Sequence, residues 1–183
     1  MSKVKHCWRN QKECFGGMVQ TDGSVHDWLE GRGRKKVLMG YIDDATSQVF
    51  ARFYPQETTG AAMESFKGYI EEYGISKSFY FDRHSICKTI RQPNLDEQLK
   101  GQLSRTQFEM ALEVLNVEPI HAYSPQAKGR IERLFATFQD RLIKELRLAK
   151  IKNLSQTNGF LKGYLPPIQL RICYPSGQPQ RPP

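Results

Sequence analysis

Short runs of apolar residues bounded by turn-forming residues mark three segments near the start of the chain, a pattern typical of strands. GMVQTDGSVHDW predicts a first strand with a turn at Asp22–Ser24. KKVLMGYIDDATS predicts a second strand over Val37–Ile42, ending at a turn that contains Asp43 and Asp44. QVFARFYPQ follows at hairpin distance. The three segments therefore predict an antiparallel meander.

Apolar residues recur at helical spacing after the third strand. GAAMESFKGYIEEYG predicts a helix that Thr58 or Thr59 caps and Gly74 ends. The remaining elements are a short strand in SKSFYFDRH, a polar stretch, a helix in TQFEMALEVLN, a strand in VEPIHAYS and a long helix in SPQAKGRIERLFATFQDRLIKELRL. Ser124 can cap the long helix. Because helices link the later strands, we expect an α/β protein whose mixed sheet carries helices on its faces.

The long helix carries one carboxylate, Glu132, among the cations Lys128, Arg130 and Arg133. An ion pair between Glu132 and Lys128, one turn earlier, is the ordinary explanation. The alternative is that the cations bind phosphates that approach Glu132. The helix sequence alone leaves both explanations open.

Composition narrows the class of protein. The chain has 183 residues, of which 39% are hydrophobic, enough for one core. It has no apolar run that could cross a bilayer, and its first residues lack the hydrophobic region of a signal peptide. We therefore expect a cytoplasmic protein without a membrane partner. Its formal charge is +8, and residues 146–183 contain six cations and no acid. A polyanion is the partner that this charge favours, although a solvated basic face would have the same composition.

Three acids stand where a metal site could form. Asp22 and Asp82 each follow an apolar run, and Glu132 lies on the long helix. Taken singly, each aspartate could have a purely structural role in a turn or a helix cap. Together they match the chemistry of phosphodiester cleavage, in which oxygen ligands hold two Mg²⁺ ions about 3.5–4 Å apart. The three acids therefore predict a site for two Mg²⁺ or Mn²⁺ ions.

Five segments resemble one known family: DGSVHDW, YIDDATS, FDRHSI, TQFEMALE and the long-helix segment from Ser124. They are similar to the catalytic core of bacterial insertion-sequence transposases of the ISNCY type, within the retroviral-integrase superfamily. The resemblance covers roughly residues 13–165. It implies a ribonuclease H-like fold with a five-stranded mixed sheet and a D-D-E triad, which falls on Asp22, Asp82 and Glu132. The 49 residues between Asp82 and Glu132 exceed the commonest spacing, and the polar stretch can hold the excess.

The resemblance also implies a reaction and its partners. Asp22 would bridge both ions, while Asp82 would hold one and Glu132 the other. A transposon end would be hydrolysed, and its 3′-hydroxyl would then attack target DNA. DNA and a second copy of the chain are the implied partners, with no small-molecule substrate. Two alternatives stay open: a metal-dependent nuclease of the same fold, or a non-catalytic DNA-binding fragment that interferes with an intact transposase.

The resemblance and the composition predict three parts of the chain. Residues 1–15 are polar and basic without a periodic pattern, so they would be a linker or remnant. Transposases of this type usually carry a helix-turn-helix region before the core. Residues 16–150 would be the core. Residues 151–183 would be a basic, proline-rich tail that is disordered or out of frame. Codons can be chosen for residues 167–181 such that translation starting one base later gives the peptide RFNSEFAIHPANPN. This peptide resembles the sequence that follows YLP in the family. We therefore expect a frameshift near Pro167 in a truncated gene, and impaired activity; sequencing the gene tests this.

Overall fold

The computed structural model describes residues 11–81, 106–121 and 128–173, the last seven of these by their backbone alone. Nine helices and strands lie within these ranges. They are β1 (Val19–His26), β2 (Lys36–Asp43), β3 (Val49–Tyr54), α1 (Thr59–Tyr73), β4 (Ser78–Phe81), α2 (Gln107–Val114), β5 (Glu118–His121), α3 (Gly129–Leu148) and α4 (Leu154–Cys173).

The five strands form one sheet in the order β3-β2-β1-β4-β5. β1 pairs antiparallel with β2, and β2 pairs antiparallel with β3. β4 is parallel to β1, and β5 is parallel to β4. This sheet confirms the predicted meander and the predicted mixed sheet, and it places β1 at the centre.

β1 runs without interruption through the turn predicted at Asp22–Ser24. Asp22 pairs with Gly40, Gly23 with Met39, and Ser24 with Leu38. The predicted turn is therefore wrong. Every residue of β2 is buried, so β2 offers β1 a continuous pairing partner that overrides the local turn composition. As a result, Asp22 lies within the central strand rather than at its end.

Each face of the sheet has its own hydrophobic core. α3 and α4 cover one face, and α1 and α2 cover the other. Trp28 is fully buried on the first face, where its ring meets Phe53 edge to face, and its Nε1–H donates to the Ser24 carbonyl at 3.2 Å. Because α3 packs directly on β1 and β2, its position relative to Asp22 is fixed by this core.

The predicted ends of α1 are confirmed, whereas the predicted start of α3 stays a prediction. Thr58 caps α1 by accepting a hydrogen bond from the Ala61 N–H, and Gly74 ends the helix with φ 83°. The structure gives α3 from Gly129, and the predicted start at Ser124 lies outside the described residues. Lys128 occupies the N-cap position without capping through its side chain. That side chain extends to β1 instead.

α4 continues the core beyond the predicted boundary at residue 150. Leu161 and Leu165 are buried against the first face. Asn158 accepts a hydrogen bond from the Phe53 N–H at 2.8 Å and donates to the Phe53 carbonyl at 3.0 Å. The disorder predicted from residue 151 is therefore wrong for residues 154–166, where leucines at helical spacing meet β3. The expected frameshift stays a prediction, and residues 174–183 lie outside the described ranges.

Two buried aspartates build the turn between β2 and β3, as predicted. Asp43 accepts hydrogen bonds from the backbone N–H groups of Ala45 and Thr46 at 3.1 and 2.8 Å. Asp44 accepts from the Lys12 N–H at 2.8 Å. Burying a carboxylate is costly unless such donors satisfy it. Across the described part of the chain, no helix combines the length and the apolar character that spanning a bilayer requires.

Candidate active site

Asp22 lies on the face of β1 that α3 covers. Its carboxylate Oδ1 accepts a hydrogen bond from the Gly23 N–H at 3.0 Å. Its Oδ2 lies 3.1 Å from the ammonium nitrogen of Lys128. Gly40, opposite Asp22 on β2, makes room for the helix, since a Cβ there would lie 3.0 Å from the Phe135 ring. The Asp22 side chain keeps 19% of its surface exposed, so it is reachable from solvent.

The Lys128 side chain is only 7% exposed. A buried ammonium is costly unless an anion compensates it, and Asp22 supplies that anion. The contact also shows what the Asp22 carboxylate binds in this environment: a cation, at hydrogen-bond distance. The ordinary explanation predicted for Lys128, an ion pair with Glu132, is replaced by this ion pair with Asp22.

Two further hydrogen bonds hold α3 across β1 on either side of Asp22. The Ile131 N–H donates to the Gln20 side chain at 3.4 Å. Gln139 donates to the Ser24 hydroxyl at 3.3 Å. Gln20 and Ser24 lie two residues before and after Asp22, so all three share one face of the strand. The N-terminal end of α3 is therefore fixed at the level of Asp22.

Glu132 lies in the first turn of α3 and is exposed. It forms no ion pair with another described residue. Lys128 and Glu132 are four residues apart, so they lie on the same side of the helix. The structure thus brings the end of α3 that carries Glu132 to Asp22, and leaves the Glu132 carboxylate available for another cation.

Asp82, the third predicted metal ligand, directly follows β4 and lies outside the described residues. Within those residues, no three acidic, histidine or cysteine side chains gather closely enough to hold a metal ion. Both the metal triad and its two ions therefore stay predictions.

Glu57 is an acid of this region that the sequence analysis missed. It precedes the cap of α1, and a Cβ on Gly23 would lie 3.2 Å from its Oε1. Burial raises the pKa of Glu57, the charge of Asp22 raises it further, and Lys128 lowers it. Glu57 is thus within electrostatic reach of both members of the ion pair. Its position before a helix cap gave no signal, because only the folded chain brings it to β1.

The two arginines predicted to bind DNA have different surroundings. Arg130 is tied to the β2–β3 turn: its Nε lies 3.4 Å from Asp44 Oδ1, and its Nη1 donates to the Ser47 hydroxyl at 3.2 Å. Arg133 is exposed, and its Nε donates to the Gly129 carbonyl at 2.9 Å. Arg130 therefore has a structural role, and DNA contact by Arg130, Arg133 and Lys128 stays a prediction.

Two known proteins are similar in sequence to most of this chain. A protein of Sinorhizobium fredii (strain NBRC 101917 / NGR234) that is named transposase y4bF is 40% identical over 161 residues, which cover 87% of this chain and 34% of the relative. The transposase for insertion sequence IS1202 of Streptococcus pneumoniae is 31% identical over 164 residues, covering 89% of this chain and 34% of that protein. This chain is a transposase relative. It spans about a third of the length of these two proteins. No family model matches it.

Solved structures similar in fold to this transposase relative include integrase catalytic core domains. A chain of the simian T-cell lymphotropic virus intasome in complex with the PP2A regulatory subunit B56 gamma has a TM-score of 0.68 at 15% identity, covering 95% of this chain and 60% of that chain. The HTLV-2 integrase catalytic core domain with magnesium, in a dimeric form, has a TM-score of 0.58 at 14% identity, covering 79% and 82%. The predicted ribonuclease H-like fold is thereby confirmed.

Proposed function

We propose that this chain is the catalytic core of a DNA transposase that cleaves and joins DNA strands with the help of divalent metal ions. The observation that carries the proposal is the Asp22 carboxylate, held on the central strand of an integrase-like sheet with a cation 3.1 Å away. The similarity to transposases over most of the chain supports it. An integrase core of the same fold has been solved with magnesium, which supports the metal.

The residues present fit a divalent ion at Asp22. The Gly23 N–H orients one carboxylate oxygen, and the other already faces an ammonium group. We propose that Asp22, Asp82 and Glu132 hold two Mg²⁺ or Mn²⁺ ions. Such ions, when bound, lower the pKa of a nucleophilic water or hydroxyl and offset charge on the leaving oxygen. The chain itself would hold its acids rigidly on β1 and α3 and position DNA through its cations.

Replacement of the Lys128 ammonium is expected to strengthen metal binding. In the metal-free protein Lys128 competes for Asp22, and a hydrogen bond between charged groups contributes about 1.5–3 kcal/mol. Lys128→Gln should therefore bind Mn²⁺ about tenfold more tightly. Titration calorimetry, or electron paramagnetic resonance of unbound Mn²⁺, measures this without any reaction.

Lys144→Gln is the matched control for Lys128→Gln. It removes the same charge from the same helix, but its ammonium pairs with the exposed Asp140 at 2.6 Å, far along α3 from Asp22. Its Mn²⁺ affinity should equal that of the unchanged chain. Equal or weaker Mn²⁺ binding by Lys128→Gln would show that the lysine does not compete with metal at Asp22.

A strand-joining assay separates the proposed function from its alternatives. The chain is incubated with Mg²⁺, a nicked DNA duplex from a transposon end, and a target plasmid. A transposase core yields plasmid joined to the duplex. The nuclease alternative yields only hydrolysed DNA, and the non-catalytic alternative yields a complex with neither product. Hydrolysis without joining, or no reaction, would contradict the proposal.

We further propose that the chain acts as a homo-oligomer on DNA in the bacterial cytoplasm. The integrase cores of the same fold have been solved in dimeric and trimeric forms, and a further neighbour comes from an intasome. The net charge of +8 favours a polyanionic partner.

A further inference from the structure

A groove of about 640 Å³ opens beside the candidate active site, between the β1–β2 hairpin and the segment that joins α3 to α4. The hairpin, the end of β3 and the joining segment each contribute to its walls. Its lining residues are Val25, Gly33, Arg34, Lys35, Lys36, Val37, Pro55, Gln56, Glu57, Lys152, Asn153 and Leu154. Four of these carry positive charge and one, Glu57, is acidic.

The positive charges come from two separate walls of the groove. Arg34 and Lys35 are exposed just before the start of β2, and Lys152 is exposed on the opposite, joining segment. These three side chains form no ion pair with any described acid. Lys36 is buried, and its ammonium donates to the Arg34 carbonyl at 3.2 Å, which fixes the chain at Arg34. The exposed cations are therefore available to an anion outside the protein.

Arg32 holds the two walls together. Its Nε donates to the Leu29 carbonyl at 2.8 Å within the hairpin loop. Its Nη1 donates across to the carbonyls of Leu146 and Ile151 at 3.2 and 3.1 Å. Gly33 allows the close approach, because a Cβ there would lie 3.2 Å from the Lys152 carbonyl oxygen. The groove is therefore built into the folded chain before any ligand binds.

One residue of the groove also borders the candidate active site. Glu57 lines the groove and lies against Gly23, the neighbour of Asp22 on β1. Val25, further along the same strand, lines the groove and is 58% exposed. The groove and the candidate active site therefore share Glu57, the one acid of the lining.

We infer that this groove binds the phosphodiester backbone of the DNA strand that passes to or from the active site. The inference rests on the proposed function, since it takes DNA as the substrate. Cations on two walls of an open groove suit a chain of phosphates, because each phosphate meets a cation while the bases stay outside. Arg34, Lys35 and Lys152 provide the contacts, and Lys36 and Arg32 position them.

The salt dependence of DNA binding tests the groove. The variant Arg34→Gln/Lys35→Gln/Lys152→Gln removes its three exposed charges. The plot of log affinity against log salt concentration should become shallower by about 0.9 for each phosphate that the variant no longer neutralises. A fluorescent duplex and anisotropy titrations at several salt concentrations give the slope. Thermal unfolding of each variant shows that it is folded.

The matched control is Lys67→Gln/Lys77→Gln/Lys144→Gln. It lowers the net charge equally, using exposed lysines that do not line the groove. A clearly larger decrease of slope in the groove variant than in the control supports the inference. If the slope changes equally in both variants while the unchanged chain binds DNA, the inference that the groove binds DNA is wrong. The proposed function is then unaffected. No DNA binding by the unchanged chain would overturn both.

Discussion

Asp22→Asn is expected to abolish strand joining, lowering its rate by at least about 10³-fold. The amide keeps the shape of the side chain and can still accept the Gly23 hydrogen bond, but it loses the charge that a metal ion requires. Metal ions supply several kcal/mol of stabilisation to the charge of the transition state. A loss of about 4 kcal/mol corresponds to a rate lower by about three orders of magnitude. The yield of joined plasmid, measured over time, gives the rate.

Asp140→Asn is the matched control for Asp22→Asn. Asp140 is an exposed acid on α3 whose described ion pair is with Lys144, also exposed, so its loss should leave the joining rate unchanged. DNA affinity at fixed salt should survive in the Asp22 variant, because the groove cations Arg34, Lys35 and Lys152, which we propose to contact DNA, are unchanged. An Asp22 variant that joins strands at the normal rate would remove Asp22 from the chemistry. If both variants are as inactive as the unchanged chain, the non-catalytic alternative would be favoured.

Phe138→Ala is expected to lower the free energy of unfolding by about 3–5 kcal/mol. The Phe138 side chain is fully buried on α3, within the core that joins α3 and α4 to the sheet. Removing the ring leaves a cavity that the surrounding helices and strands can fill only in part. Urea unfolding followed by circular dichroism gives the change as a lower midpoint at constant slope.

The neighbouring residue provides the comparison for Phe138→Ala. Thr137 is on the outer side of α3, where its hydroxyl donates to the Arg133 carbonyl at 2.8 Å. Thr137→Ala should therefore change the free energy of unfolding by less than about 0.5 kcal/mol. A cost below about 1 kcal/mol for Phe138→Ala would mean that α3 is not seated on the sheet through this ring. The contact of Lys128 with Asp22 depends on that seating.

Local patterns predicted most of the fold. The apolar runs of β2 and β3 and the helical spacing of α1 are properties of neighbouring residues, so they can be read without knowing the fold. The prediction failed at Asp22, because Asp-Gly-Ser is typical of turns and the pairing of Asp22 with Gly40 is a contact between distant residues. The prediction for the end of the chain failed for a related reason. Its proline content suggested disorder, although its leucines pack into the core against β3.

The sequence suggested which residues form the candidate site, but it did not indicate how Lys128 pairs. An acid among cations on α3 indicated Glu132, and Asp22 was predicted by its place after an apolar run and by the family resemblance. The ion pair of Lys128 with Asp22 joins residues more than a hundred positions apart, and helical spacing suggested Glu132 as the lysine's neighbour instead. Glu57 and the cation-lined groove depend wholly on packing between separate elements. No spacing in the sequence could have indicated them.

The side-chain amide of Asn158 has a consequence for handling the protein. β3 is an outer strand, and Asn158 satisfies both backbone groups of Phe53 that point away from the sheet. Unsatisfied groups there would offer a template on which another chain could add a strand. Shortened versions that stop before α4 would uncover this template. They should self-associate, even though every residue of the sheet is still present.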